Sequence, residues 1–173
     1  MTVGGEAMET VCTFTGHRPK KLPWGYNEGD PRCIALKKHI YDVCEAVAST
    51  GVRSFICGMA EGCDLYFAEA VLALKKAYPD IYLEAAVPYA GQADSWSEAQ
   101  RQRYAAILSQ CDEQTVLRQN YSRECMMERN RYMVDKAHIL IACCDGNPGG
   151  TLNTLRYALQ QDKEIIQIPL IMD

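Results

Sequence analysis

An apolar run, Ile139–Cys144, leads into the turn formers Asp145, Gly146, Asn147 and Pro148. A helical pattern follows, with Leu152, Leu155 and Leu159 at i, i+3 and i+7, and a β-branched run over 165–168 closes the stretch. Strand, glycine loop, helix, strand is one βαβ unit, and it constrains the chain more than any other segment. Its two strands must be parallel, and the loop between the first strand and the helix must emerge at the carboxyl edge of the sheet. That edge is where open parallel sheets take their ligands.

The residue types of this loop suit an anion. Gly149 and Gly150 have no Cβ, so the backbone turns tightly and a ligand can approach it closely. The free N–H groups opening the helix, at the positive end of its dipole, favour a phosphate or carboxylate. Thr151, Asn153, Thr154 and Arg156 are expected on the side of the helix opposite the leucines.

The same alternation runs through the rest of the chain. Further strands are expected at 11–15, 53–57, 81–87 and 114–117, ahead of those at 139–143 and 164–168. Leu36, Ile40, Val43, Cys44 and Val47 mark a helix ending near Gly51, and Leu65, Ala68, Val71 and Leu72 mark a second, closed by Tyr78-Pro79-Asp80. Ser95-Trp96-Ser97-Glu98 has the form of a capping box for a third helix, and Ser122 is a candidate cap for a fourth with Met126, Met133 and Ala137 inward. Met127 is also assigned to the core, and His39 and His138 to structure. Residues 20–32 hold too many breakers for a regular element and read as a long loop, either a lid or a surface connection in which Trp24 covers the core edge. Apolar strands without polar alternation indicate a sheet covered on both faces. The expected fold is α/β, a Rossmann-like three-layer sandwich with a mostly parallel sheet of about six strands. Residues 1–9 read as a loose leader and 10–173 as a single domain.

Composition narrows the classes of function. A net charge of −4 weighs against a protein built to hold duplex DNA through its phosphates. The nine cysteines include no C-x-x-C pair and no tight Cys/His cluster, so no metal is expected, and Cys12, Cys44, Cys57 and Cys143 fall where small apolar side chains belong. No signal-peptide pattern or membrane-length apolar run occurs, so the expected setting is the reducing cytoplasm, with no membrane partner.

In such a sheet three glycine-bearing loops face one crevice: Gly16 to Pro19, Gly58 to Asp64, and Gly146 to Thr151. Pro88 and Tyr89 lie on the same edge. His17 is placed to contact phosphate or move a proton, unless it is a surface group, and Arg18 offers a bidentate cation. Glu61 or Asp64 could accept from ribose hydroxyls, although Asp64 also suits the dipole at a helix start. Trp24, Tyr26, Tyr89 or Trp96 could stack on a base. Arg129 and Asn130 either reach the crevice from the fourth helix or lie on a solvated face. Neither G-x-G-x-x-G nor the Walker A pattern occurs.

Taken in order, several motifs resemble the SLOG (SMF/DprA–LOG) superfamily of Rossmann-like proteins, and within it the YpsA-like group. They are Thr15-Gly16-His17-Arg18-Pro19, Gly58-Met59-Ala60-Glu61-Gly62-Cys63-Asp64, Pro88 with Gln92 and Trp96, Arg129-Asn130-Arg131, and the segment from Gly149 to Leu159. The resemblance spans nearly the whole chain, from about 11 to 169. It implies a pocket for a nucleotide or a nucleotide-derived ligand, such as an ADP-ribose or NAD relative, and no certain cofactor. The ligand contacts it implies, with Asp145 joining the motif residues, are Gly16, His17, Arg18, Pro19, Gly58, Met59, Ala60, Glu61, Gly62, Asp64, Pro88, Trp96, Arg129, Asn130, Asp145, Gly149, Gly150, Thr151, Asn153 and Thr154.

Three functions accompany the resemblance. LOG-type members are phosphoribohydrolases whose motif, Pro-Gly-Gly-x-Gly-Thr-x-x-Glu, supplies a carboxylate at the glycosidic bond. Here Leu152 and Asn153 stand in place of its third Gly and its Thr, and Arg156 in place of its Glu, so hydrolysis would fall to Glu61 or Asp64. DprA-type members bind single-stranded DNA, which calls for a basic, aromatic groove; the acidic balance disfavours it. A non-catalytic sensor or regulator needs only the pocket, and is the preferred expectation. Related folds commonly pair, so a homodimer is compatible with all three.

Overall fold

The computed structural model describes residues 9–170; the expected leader falls, apart from Glu9, outside them. Six strands form one sheet: β1 (Val11–Gly16), β2 (Ser54–Cys57), β3 (Tyr82–Val87), β4 (Glu113–Val116), β5 (Ile139–Cys144) and β6 (Glu164–Pro169). Their spatial order is β4-β3-β2-β1-β5-β6, and every neighbouring pair is parallel. The helices are α1 (Pro31–Ser49), α2 (Cys63–Leu74), α3 (Glu98–Gln110), α4 (Cys125–Lys136) and α5 (Gly150–Gln160), with a single 3-10 turn at Pro19–Lys21. This is the expected Rossmann-like α/β sandwich.

Strand alternation sorts the core into two layers. Cys12 and Phe14 of β1 point to the face covered by α1, α2 and α3, where the Phe14 ring stacks on Phe67 of α2 at 4.8 Å. Leu140 and Ala142 of β5 point to the other face, against Val134 of α4 and Leu155 and Ala158 of α5. Burial of apolar surface on both faces, at about 25 cal/mol per Å2, is the main stabilising contribution.

Local chemistry moved several boundaries from their expected places. Asp30 caps α1, its carboxylate accepting from the Arg32 N–H at 2.8 Å, and Pro31 fills the first helical position, where a missing N–H is harmless. The breaker-rich segment is therefore shorter than its composition suggests. Trp24 within it is buried and donates to the Tyr66 hydroxyl at 3.3 Å, so it covers the core edge. The cap of α3 is Ser97, which accepts from the Gln100 N–H at 3.3 Å; Ser95 lies ahead of the helix. Ser122 does not cap α4 with its side chain, and that helix starts at Cys125.

The inward face of α5 is Thr151, Thr154, Leu155 and Ala158, spaced i, i+3, i+4 and i+7, while Leu159 is 55% exposed. The leucine stripe misled by about one position, because the two threonines satisfy their own hydroxyls inside the fold. Thr154 donates to the Gly150 carbonyl at 2.8 Å, and Thr151 turns towards β1.

Candidate functional site: the crevice at the switch point

The strand order reverses between β1 and β5, so the sheet winds away from this pair in both directions. At such a point the loops beyond the strand ends separate and leave a crevice. A cavity of about 280 Å3 opens there. The end of β1 supplies Gly16, His17 and Arg18, the 3-10 turn adds Lys20 and Lys21, and α2 and the loop before it add Ala60 and Asp64. Across from them stand Met126, Arg129 and Asn130 of α4, with Gly150 and Thr151 at the first turn of α5. Four cations (Arg18, Lys20, Lys21 and Arg129) thus face one carboxylate, Asp64.

The loops hold one another in place. The Cys63 N–H donates to the His17 carbonyl at 3.1 Å, tying the second glycine loop to the first. Gly62 makes this approach at φ +85, and a Cβ there would stand 2.7 Å from that same carbonyl oxygen. Gly58 leaves room for a side chain from the opposite wall: the Arg129 guanidinium donates to its carbonyl. A Cβ on Gly58 would lie 2.9 Å from both the guanidinium carbon and Asp64 Oδ2. Met59 takes a left-handed backbone, φ 60, and is held by Gln92, whose amide donates to its carbonyl at 3.1 Å.

Charge in the crevice is partly desolvated. Burial pushes the Asp64 carboxyl above its ordinary range, while Arg129 and the Ala60 N–H, which donates to it at 3.2 Å, pull it back. Burial likewise lowers the Arg129 guanidinium, and Asp64 opposes that shift. Arg129 is 3% exposed, so a cation sits in the wall beside a carbonyl, the Asn130 side chain, the Asp64 carboxylate and the Arg18 cation. Such a group favours an incoming anion strongly, because little water screens it.

His17 is buried between the third loop and α5. Its Nδ1 lies 3.3 Å from Thr151 Oγ1, and its Nε2 lies 3.1 Å from Asp145 Oδ1 without meeting hydrogen-bond geometry. Asp145 accepts from the Asn147 N–H at 2.9 Å and from the Asn147 side-chain amide at 3.1 Å. Burial raises the Asp145 carboxyl, but Asn147 and His17 outweigh it and hold it below its usual range. Cys144 Sγ completes a group in which the His17, Cys144 and Asp145 donor atoms all lie within 4.8 Å of one another. Spacing along the chain gave no hint of this grouping.

Of the residues expected at the ligand, Gly16, His17, Arg18, Ala60, Asp64, Arg129, Asn130, Gly150 and Thr151 line the cavity. Pro19, Gly58, Met59, Gly62, Asp145 and Gly149 shape its frame without lining it. Glu61 lies outside the lining and accepts from the Tyr26 hydroxyl at 3.1 Å. Asn153 is exposed, and Thr154 is spent inside α5. Pro88 and Trp96 are off the cavity; Trp96 packs edge-on to Tyr104 at 5.3 Å, and Tyr89 pairs in the same manner with Tyr121 at 5.5 Å. The β3 loop therefore braces Met59 through Gln92 and offers no stacking ring.

Met126 was assigned to the core but stands at the crevice mouth, 3.4 Å from the Arg18 guanidinium. Glu84 escaped notice altogether. Buried in β3, it accepts from Tyr132 at 2.5 Å, Lys136 at 2.7 Å and Thr115 at 2.9 Å, and so fixes α4, the carrier of Arg129. An acidic residue in an apolar strand facing a Tyr and a Lys four positions apart was the available signal.

A doubly wound parallel sheet with glycine loops meeting at its switch point defines a Rossmann-like α/β domain. Residues 12–172 match the YspA SLOG family, and the chain belongs to it. Its relatives include the UPF0398 protein YpsA of Bacillus subtilis (strain 168), 27% identical over 158 residues, 88% of this chain and 87% of that one. A UPF0398 protein of Bacillus cereus (strain AH187) is 28% identical over 157 residues, covering 90% and 85%. Among solved structures the fold is similar to DNA processing protein A (DprA) from Streptococcus pneumoniae, with a TM-score of 0.60 and 15% identity over 93% of this chain and 50% of that one. It is also similar to DNA processing protein A from Helicobacter pylori, known for a distinctive single-stranded DNA binding mode, at a TM-score of 0.62 and 14% identity over 95% and 67%. This chain thus spans about half of the Streptococcus protein. No helix among the described residues is long and apolar enough to cross a membrane.

Proposed function

We propose that the crevice binds a nucleotide or a nucleotide-derived compound of the ADP-ribose or NAD type, and that the protein acts as a sensor or regulator without turning the ligand over. The observation that carries this reading is that Arg18, Lys20, Lys21 and Arg129 line one cavity together with Gly150 and Thr151 of the first turn of α5. Backbone amides at Gly150 and Thr151 suit a phosphate, and flexible and fixed cations around them add charge-assisted hydrogen bonds. A cavity of about 280 Å3 suits a sugar phosphate or mononucleotide portion.

The absence of turnover is supported by where the carboxylates stand. Arg156 replaces the LOG-type glutamate and is exposed, and Glu61 is outside the lining. Asp64 does line the cavity with a raised carboxyl, which favours phosphoribohydrolysis as a second reading. Single-stranded DNA, bound by one of the similar folds, is a weaker reading because Trp24, Trp96 and Tyr89 are engaged in packing.

Calorimetric titration with AMP, ADP-ribose and a short oligonucleotide, followed by chromatography of the recovered ligand, separates the three. The sensor reading expects saturable binding of a small nucleotide and its recovery intact. Free base released in an Asp64-dependent manner would transfer the function to hydrolysis, and oligonucleotide binding that collapses with salt would transfer it to DNA.

A further inference from the structure

We infer that His17, Cys144 and Asp145 form a binding site for a borderline-soft divalent cation such as Zn2+, set at the rim of the crevice. This goes beyond the nucleotide reading and does not depend on it. The three residues offer an imidazole nitrogen, a thiol sulfur and a carboxylate oxygen, all within 4.8 Å of one another. A tetrahedral zinc ion, with bonds of about 2.0–2.3 Å, holds its donors about 3.5 Å apart, so only a small inward movement completes the set. One neutral imidazole, one thiolate and one carboxylate carry two negative charges, which a divalent ion neutralises.

The outer contacts argue for the site more strongly than the donors do. His17 is 3% exposed, and its buried Nε2 lies 3.1 Å from Asp145 Oδ1 but outside hydrogen-bond geometry. Its other nitrogen, Nδ1, is 3.3 Å from Thr151 Oγ1; with Nε2 on a metal, Nδ1–H donates to that hydroxyl and fixes the ring. Asp145 is oriented by two donors from Asn147, and the Gly146 N–H donates to Cys144 Sγ at 3.3 Å. Each of the three donors therefore has a partner behind it, the arrangement that orients metal ligands. A plain His–Asp contact would need neither the thiol nor its N–H donor. Three protein donors leave a fourth position for water or a ligand oxygen, as in open zinc sites.

The test uses the full chain, stripped with a chelator and kept free of nucleotide, titrated with Co2+ and then Zn2+. One equivalent of Co2+ is expected to bind with a thiolate-to-cobalt charge-transfer band in the near ultraviolet, and Zn2+ is expected to displace it. Cys144→Ser should abolish that band, while Cys111→Ser, at a half-buried thiol elsewhere, should retain it. Thr151→Ala should weaken Zn2+ binding roughly 10–100-fold through the lost outer contact. Far-ultraviolet circular dichroism of each variant shows that it is folded. No stoichiometric binding, or a thiolate band that survives in folded Cys144→Ser protein, would overturn the assignment. Neither result bears on nucleotide binding, which is read without metal.

Discussion

Arg129 of α4 donates to the main-chain carbonyl of Gly58, the first residue after β2, and so joins the two walls of the crevice. Removing the guanidinium leaves that carbonyl unpaired and takes the most buried cation from the site. Arg129→Met should lose about 1–3 kcal/mol of stability, the usual consequence of an orphaned buried polar group. It should also weaken nucleotide binding by at least about tenfold, or about 1.4 kcal/mol. Arg129→Lys should recover part of the binding and less of the stability, because an ammonium lacks the planar fork. Chemical denaturation and calorimetric titration of the two variants check both.

Gly58→Ala tests the same contact from the other side. The added Cβ would stand 2.9 Å from the guanidinium carbon and from Asp64 Oδ2, so one of them must move. The expected outcome is a stability loss of about 1–3 kcal/mol, as for other overpacked sites. A matching fall in ligand affinity is expected even though residue 58 does not itself line the cavity.

Asp64 gives a pH dependence with a definite sign. Its folded-state carboxyl is raised by burial above the unfolded value, so the native protein holds the extra proton between the two values. Stability from this group is fully present below the unfolded value and is lost as pH rises through the raised one. Asp64→Asn should therefore be more stable than the parent at neutral pH, with the difference vanishing at acid pH. Asp145 is shifted the other way, so its contribution is present above the ordinary carboxylate value and fades as pH falls through its lowered one. Thermal melts of parent and Asp64→Asn across the acid range separate the two.

Glu84 anchors α4 to the sheet through Tyr132, Lys136 and Thr115. Glu84→Gln keeps the shape but weakens the charge-assisted bonds. Since Lys136 is partly exposed, the loss should be modest, about 1–2 kcal/mol. Affinity for a crevice ligand should fall as well, because the helix that carries Arg129 is less firmly held. Urea denaturation alongside ligand titration measures both effects.

The sheet was legible because its strands are apolar runs punctuated by glycine, and parallel order follows from the helices between them. The convergence of Gly16, Gly58 and Gly150 on one edge followed from topology alone. Side-chain direction was not legible to the same degree. Thr151 and Thr154 read as a polar outer face, yet each hydroxyl finds a partner that lets it turn inward. Arg129 was ambiguous because α4 mixes charge around its circumference, and only the space left by Gly58 makes room for a buried guanidinium. Pro88 and Trp96 belong to the resemblance, but that loop supports Met59 from behind the site. The grouping of His17 with Cys144 and Asp145 joins positions 127 or more residues apart, which no local spacing could reveal.

An anionic, sugar-bearing ligand is proposed for the β1/β5 switch point. The amide 1H–15N spectrum of the protein, titrated with AMP, tests this residue by residue. Saturable shifts are expected to concentrate at Gly16, His17, Arg18, Ala60, Gly150 and Thr151, with the midpoint at least about tenfold higher in Arg129→Met. Shifts centred elsewhere on the molecule, or none at all with folded protein, would contradict it.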